Sequence, residues 1–192
     1  MKEKFVRDLM VPLEEYATVP EEATLYEAVL TLERAQKEYL EVRKKSIYPH
    51  RGILVLDSKN RVIGKISQVD VIKGLEPKYQ ELISSNNMAT MAASGFSADF
   101  LRSMLQPHGL FAKPLHALCQ KAARVRVKDL MYTPDQGEYV KAEDSLEIAV
   151  HQFIIGRHHS LLVTGQEAEI VGLLRLVDVF SEIAQEIKSC EL

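Results

Sequence analysis

The segment Gly64-Lys65-Ile66-Ser67-Gln68-Val69-Asp70 concentrates the chemistry of this chain. A glycine ending a strand lets a ligand come close to the backbone. A hydroxyl and a carboxylate follow, three residues apart, in what reads as the first turn of a helix. A carboxylate so placed can accept two hydrogen bonds from the vicinal hydroxyls of a ribose, and the free N–H groups of a helix start suit phosphate. Ser-x-x-Asp is equally an ordinary helix cap with a dipole-compatible acid. Repetition separates the two readings. Gly64 and Asp70 return as Gly172 and Asp178, but Arg175 stands where Ser67 would be. The carboxylate persists although its capping hydroxyl has gone, which favours a role beyond capping.

The elements that must hold these residues are themselves duplicated. Val6-Arg7-Asp8-Leu9-Met10 returns 121 residues later as Val127-Lys128-Asp129-Leu130-Met131. The stretch from Val55 to Val71 returns 108 residues later, from Val163 to Val179. Such a repeat fixes the unit of folding before any residue is interpreted. In the first copy, Thr18-Val19-Pro20 enters a helix whose start carries a Thr24–Glu27 capping box. Leu25, Ala28, Val29, Leu32 and Ala35 then follow at helical spacing. Ile53–Leu56 and Arg61–Ile66 read as two strands joined by the turn-forming Asp57-Ser58-Lys59-Asn60. In the second copy, Asp144 and Glu147 offer the capping box and Gly156 a helix stop. Leu161–Val163 and Ile170–Leu174 form the strand pair, and Val177, Phe180, Ile183, Ala184 and Ile187 mark a final amphipathic helix. Each copy is expected to be β-α-β-β-α, the whole an α/β fold with pseudo-twofold symmetry and a ligand cleft between the copies.

The first copy has extra residues near Gln36–Pro49, with a charged Glu38–Lys45 that prolongs its helix into solvent. The expected division is residues 1–75 for the first repeat, 76–124 for a helical insertion and 125–192 for the second repeat. Helix starts are expected at Ser97-Ala98-Asp99-Phe100 and Pro114-Leu115-His116. Met88, Met91, Phe96, Phe100, Leu101, Met104, Leu105, Leu110 and Phe111 make this segment too apolar for a plain linker.

Bulk properties narrow the function further. The formal net charge of −3 gives no general attraction to nucleic acid or an anionic membrane. No apolar run reaches the roughly 18 residues of a membrane span, and Met1-Lys2-Glu3-Lys4-Phe5 lacks the apolar core of a signal peptide. Two cysteines far apart, Cys119 and Cys190, do not suggest a disulfide framework. A reduced, cytoplasmic protein is expected. His108, His116 and Cys119 lack tight metal-ligand spacing and are read as packing residues. No Gly-rich phosphate loop, nucleophile elbow or paired-His helix motif occurs.

The ordered, duplicated set resembles a tandem pair of CBS domains, the adenosine-binding regulatory module. That family's pattern is an apolar strand ending in Asp, here Ile53-Leu54-Val55-Leu56-Asp57, a second strand, and then Gly-h-h-Ser/Thr-x-x-Asp (h apolar), here Gly64 through Asp70. The Leu-Met pairs at Leu9-Met10 and Leu130-Met131 match its usual opening. The likeness covers about residues 3–75 and 125–188. It implies that Asp70 holds ribose hydroxyls with Ser67 at a phosphate, and that Asp178 is a second ribose anchor. It also implies that Thr18-Val19-Pro20 and Glu138-Tyr139-Val140 clasp adenine, with Arg51 and His159 meeting phosphate.

The departures are specific. Leu54 and Leu162 replace a frequent proline. Lys65 replaces an apolar residue and adds charge near phosphate. Arg175 replaces Ser/Thr, and three roles stay open for it: pairing with phosphate, filling the pocket, or binding Asp178. The resemblance implies a non-catalytic sensor with no catalytic cofactor, an adenine nucleotide (AMP, ADP or ATP) as regulatory ligand, and a homodimer that acts on an unidentified target protein. S-adenosylmethionine in the same site, or a ligand-free scaffold, is the alternative. Which nucleotide binds, and whether Mg²⁺ accompanies it, stays open.

Overall fold

A computed structural model describes residues 4–42, 51–79 and 97–190, with positions 82 and 95. Both copies fold as their patterns predict. In the first, β2 (Thr18–Pro20) leads into α2 (Leu25–Val42), then β3 (Gly52–Leu56), β4 (Val62–Ser67) and α3 (Gln68–Lys73). In the second, β5 (Tyr139–Lys141) leads into α6 (Leu146–Gly156), β6 (Ser160–Thr164), β7 (Ile170–Arg175) and α7 (Leu176–Ser189). Within each copy the short first strand pairs parallel to the second, and the second and third pair antiparallel. The pairs are equivalent by register: Val55 faces Gly64 as Val163 faces Gly172, and Gly52 faces Ser67 as Ser160 faces Arg175.

The middle strands, β3 and β6, are apolar on both faces, as strands covered on two sides must be. Ile53 and Val55 pack against α2 with Val19, Ala28 and Leu32. Leu161 and Val163 pack with Val140, Leu146, Ala149 and Phe153. The alternate residues, Leu54 and Leu162, point the other way and meet between the two sheets, together with Val11, Tyr16 and Leu173. Helices therefore flank two sheets that share a central apolar seam.

The two openings are exchanged. Helix α1 (Val6–Leu9) precedes the first repeat in sequence but docks on the second. Val6 N–H donates to the Asp144 carbonyl at 3.0 Å and Leu146 N–H to that of Lys4 at 2.9 Å. The counterparts run the other way, Val127 N–H to Ala23 O at 2.8 Å and Leu25 N–H to Val125 O at 2.8 Å. Val6 lies in the second repeat's core and Val127 in the first's. Strand β1 (Val11–Pro12) then adds to β7, and Tyr132 makes the matching bridge to Lys65, both backbone bonds 2.9 Å.

This exchange corrects the reading of the two motif glycines. They lie inside β4 and β7, not at strand ends, and what comes close is the opposite opening segment, not a ligand. A Cβ on Gly64 would stand 2.7 Å from Met131 Sδ, and one on Gly172 2.5 Å from the Val11 carbonyl oxygen. Cβ atoms do not tolerate such distances, so glycine and the opening Leu-Met belong to one packing unit.

The Thr24–Glu27 capping box is present: Thr24 N–H and Oγ1 donate to Glu27 Oε2 at 2.7 and 2.8 Å. The box expected at Asp144 is not. Ser145 is the N-cap of α6, and Asp144 instead accepts from the Lys141 N–H at 2.9 Å. Gly156 is the last helical residue, and the left-handed position falls on Arg157, φ 52°. Helices begin as expected in the central segment, α4 (Ala98–Leu105) capped by Ser97 and α5 (Leu115–Ala122) after Pro114. Helix α5 packs on the body through Ala122, against Leu25 and Leu130. Glu76, buried, accepts from Phe111 N–H at 3.0 Å. His108, His116 and Cys119, expected to pack, are all exposed. The charged Arg43-Lys44-Lys45 and the apolar Met88, Met91 and Phe96 lie outside the described residues. Among the described residues, no helix is long and apolar enough to cross a membrane, and no three His, Cys, Asp or Glu side chains group as a metal site.

Candidate functional site

A cleft of about 670 Å³ runs between the two repeats. The first repeat lines it with Arg51, Lys65, Ser67, Asp70 and Lys73, the second with Arg157, His158, His159 and Arg175. Arg51 and His159 are held alike. The Arg51 carbonyl accepts from Gln68 N–H at 3.1 Å, and the His159 carbonyl from Leu176 N–H at 3.0 Å. Each thus sits across from the helix that carries its repeat's motif aspartate. The backbone alone places a basic residue beside the first residue of each motif helix, Arg51 at Gln68 and His159 at Leu176.

In the first repeat Ser67 and Asp70 form a capping box. Ser67 N–H and Oγ donate to Asp70 Oδ2 at 2.9 and 2.6 Å, and Asp70 N–H returns a bond to Ser67 Oγ at 3.3 Å. The capping reading is therefore realised. It occupies one carboxylate oxygen. The other, Oδ1, meets Lys73 Nζ only at 3.5 Å, at the edge of a useful contact. Asp70 is 7% exposed and lines the cleft.

In the second repeat Arg175 binds Asp178, one of the three roles left open for it. Its Nε donates to Asp178 Oδ2 at 2.5 Å and its Nη2 to Oδ1 at 2.6 Å. The planar guanidinium holds both carboxylate oxygens, the geometry that makes arginine–carboxylate forks strong. Arg175 lines the cleft, whereas Asp178 is not among the lining residues. Tyr16 lies beside this pair. Burial drives its phenol pKa up, the Arg175 charge opposes that rise and the Asp178 charge adds to it.

Besides Asp178, four of the expected residues, Thr18, Val19, Tyr139 and Val140, are not among those lining the cleft. Val19 and Val140 are core residues, each 3% exposed. Thr18 and Tyr139 lie half-buried beside them in β2 and β5, and Tyr139 packs against the central seam.

The sequence reading placed Glu138 only in the segment expected to clasp adenine and missed its pairing with Lys65 and Tyr132. Glu138 is 2% exposed, and its carboxylate is held by Lys65 from the first repeat and by Tyr132, whose hydroxyl donates to Oε1 at 2.5 Å. Burial by itself would raise the Glu138 pKa. The Lys65 and Tyr132 bonds outweigh it and hold the carboxyl below the ordinary glutamate range. The bond to Glu138, and secondarily burial, push the Tyr132 phenol pKa up. Lys65 Nζ also sits 5.1 Å from the centre of the Tyr132 ring. The extra charge at Lys65 is thus balanced within the protein by a residue of the other repeat. A signal was visible: Glu138 stands where the first copy has Ala17, an acid against a methyl in matched positions.

Comparison with known proteins agrees with this architecture. Residues 6–77 match the family model of the CBS domain. No curated protein sequence matches the chain. Among solved structures, the chain is similar to a CBS domain-containing protein of unknown function from Bacillus anthracis, with 17% identity and a TM-score of 0.60 over 95% of this chain and 94% of that one. It is similar to CBSX2 crystallised with AMP, with 18% identity and a TM-score of 0.56 over 96% and 98% of the two chains. It is also similar to the CBS domain of a bacterial CNNM/CorC family Mg²⁺ transporter in complex with ATP, with 16% identity and a TM-score of 0.56 over 94% and 87%. With its duplicated β-α-β-β-α units, exchanged openings and matched motif, the chain carries a match to the CBS domain at residues 6–77 and has the fold of CBS-pair structures.

Proposed function

We propose that the chain is a non-catalytic regulatory module that binds an adenine nucleotide, AMP, ADP or ATP, between its repeats and acts as an energy or ligand sensor. One observation carries the reading. Asp70 and Ser67, suited to a ribose edge and a phosphate, share one cleft with the cations Arg51, Lys65 and Lys73 and with His159. Two structures of the same fold were crystallised with AMP and ATP, which supports the choice of ligand class. The same cations disfavour the sulfonium of S-adenosylmethionine, which the ribose anchor alone would accept. Thr18, Val19, Tyr139 and Val140 then serve as framework, and the segments flanking them shape the cleft.

Sensing requires that the nucleotide bind one of two states more tightly, because equal affinity shifts nothing. The proposed second state is one of association in the cytoplasm. Val69, Ile72, Phe180 and Ile187 leave α3 and α7 with exposed apolar surface, which a second copy would cover to form a homodimer that acts on a target protein. The division into repeats at 1–75 and 125–192, with 76–124 inserted, belongs to the same proposal. A thermal-shift series with AMP, ADP and ATP, each with and without Mg²⁺, tests it. Ligand at about 100 times its dissociation constant stabilises a fold by roughly 2.7 kcal/mol. A shift with one or more nucleotides supports the sensor, and no shift with any of them leaves the scaffold reading.

A further inference from the structure

We infer that Arg175 is the built-in occupant of the second ribose position, so that the chain takes one nucleotide, not two. This rests on the nucleotide reading of the first position. The two positions correspond residue by residue through the strand register, Gly52 opposite Ser67 and Ser160 opposite Arg175. They differ in what the motif aspartate does. Asp70 keeps Oδ1 with only Lys73, at 3.5 Å, and the Lys73 side chain is 42% exposed and free to swing outward. Asp178 has both oxygens bound, at 2.5 and 2.6 Å, by a guanidinium only 5% exposed.

A ribose diol needs a carboxylate oxygen open as acceptor: Asp70 Oδ1 is one, beside the Oδ2 that the Ser67 cap holds, whereas at the second position Arg175 holds both oxygens of Asp178. The diol could take them only by expelling Arg175 and leaving a buried cation without its carboxylate, which is strongly unfavourable. Nor does Arg175 replace the missing cap, since it makes no side-chain bond to the α7 start. Its fork serves Asp178. The guanidinium also lines the cleft, so it presents positive charge toward the first position while closing the second.

Native mass spectrometry with AMP as probe, counting ligands per chain, tests this. Wild-type protein is expected to take up one AMP per chain, Arg175→Ser two, and the double variant Arg175→Ser/Asp178→Asn one. Arg175→Thr, which also restores a hydroxyl, serves as a second variant if the serine change impairs folding. Wild-type protein binding two AMP per chain overturns the inference without any variant. So does a folded Arg175→Ser or Arg175→Thr that binds no more AMP than wild type. If wild type binds none, the sensor proposal fails, yet a gain in Arg175→Ser that Asp178→Asn cancels still upholds Arg175 as the occupant.

Discussion

Gly172 passes beneath Val11 so closely that a Cβ on the glycine would stand 2.5 Å from the valine carbonyl oxygen. The N-terminal strand of the chain is thereby seated on the last strand of its second repeat. At Gly64 the nearest atom is Met131 Sδ, at 2.7 Å, with the Tyr132 carbonyl oxygen behind it at 3.0 Å. A methionine side chain can swing aside and a strand carbonyl cannot. Gly172→Ala is therefore expected to cost more than Gly64→Ala. Overpacking costs about 1–3 kcal/mol, and Gly172→Ala should lie at the top of that range. Urea denaturation of the two variants measures the order.

The exchanged openings tie the repeats into one folding unit. Val6 and Val127 are each 0% exposed, and each fills the core of the repeat it does not precede. Truncating either to alanine removes about two methylene equivalents and leaves a cavity, a loss of about 2 kcal/mol. Both variants should unfold in a single transition that moves as a whole. Two separated transitions in calorimetry would show that the repeats fold independently.

Glu138 predicts the acid limb of stability. Its carboxyl titrates lower in the folded protein than in the unfolded chain, because Lys65 and Tyr132 bind the charged form. A depressed carboxyl pKa contributes stability that is present above the unfolded value, about 4.3, and is lost as pH falls through the folded one. Stability should decline with acidification below about pH 4.3, and Glu138→Gln should flatten that decline while lowering stability at neutral pH. Chemical denaturation at a series of pH values measures both. An unchanged acid slope in Glu138→Gln would remove this carboxyl from the account.

The same substitution bears on ligand choice. Glu138 neutralises Lys65 inside the cleft. Releasing that lysine raises the positive charge available to phosphates, so Glu138→Gln is expected to favour ATP over AMP several-fold more than wild type does. The gain should shrink as salt screens it. Competition titrations at low and high salt test both statements.

Much of the fold was legible in the sequence because duplication places each element twice. The apolar runs Ile53–Leu56 and Leu161–Val163 had one reading as covered strands, and Thr24–Glu27 marked a helix start by its own hydrogen-bond chemistry. What pattern could not show was which repeat each opening joins. Val6 and Val127 look alike in either place, and only packing reveals the exchange that also explains the glycines. The site was legible as a set of candidates. Ser67, Asp70, Arg51, Lys65, His159 and Arg175 do line one cleft. Val19 and Val140 were assigned to ligand but face a core, since strand alternation decides the side and the segment is only three residues long. The role of Glu138 escaped notice because its partner Lys65 lies far away in sequence and is brought to it beside the bridge at Tyr132.

Isothermal titration of AMP into wild-type protein and into Asp70→Asn tests the central claim most directly. The asparagine keeps the size of the side chain and an oxygen for the Ser67 cap but lacks the second acceptor that a ribose diol needs. Charge-assisted hydrogen bonds contribute about 1.5–3 kcal/mol each, and 1.4 kcal/mol is tenfold in affinity. The account predicts saturable binding to wild type and at least about tenfold weaker binding to Asp70→Asn, with the fold intact by circular dichroism. Wild type that binds no AMP, or a variant that binds it as tightly as wild type, would contradict it.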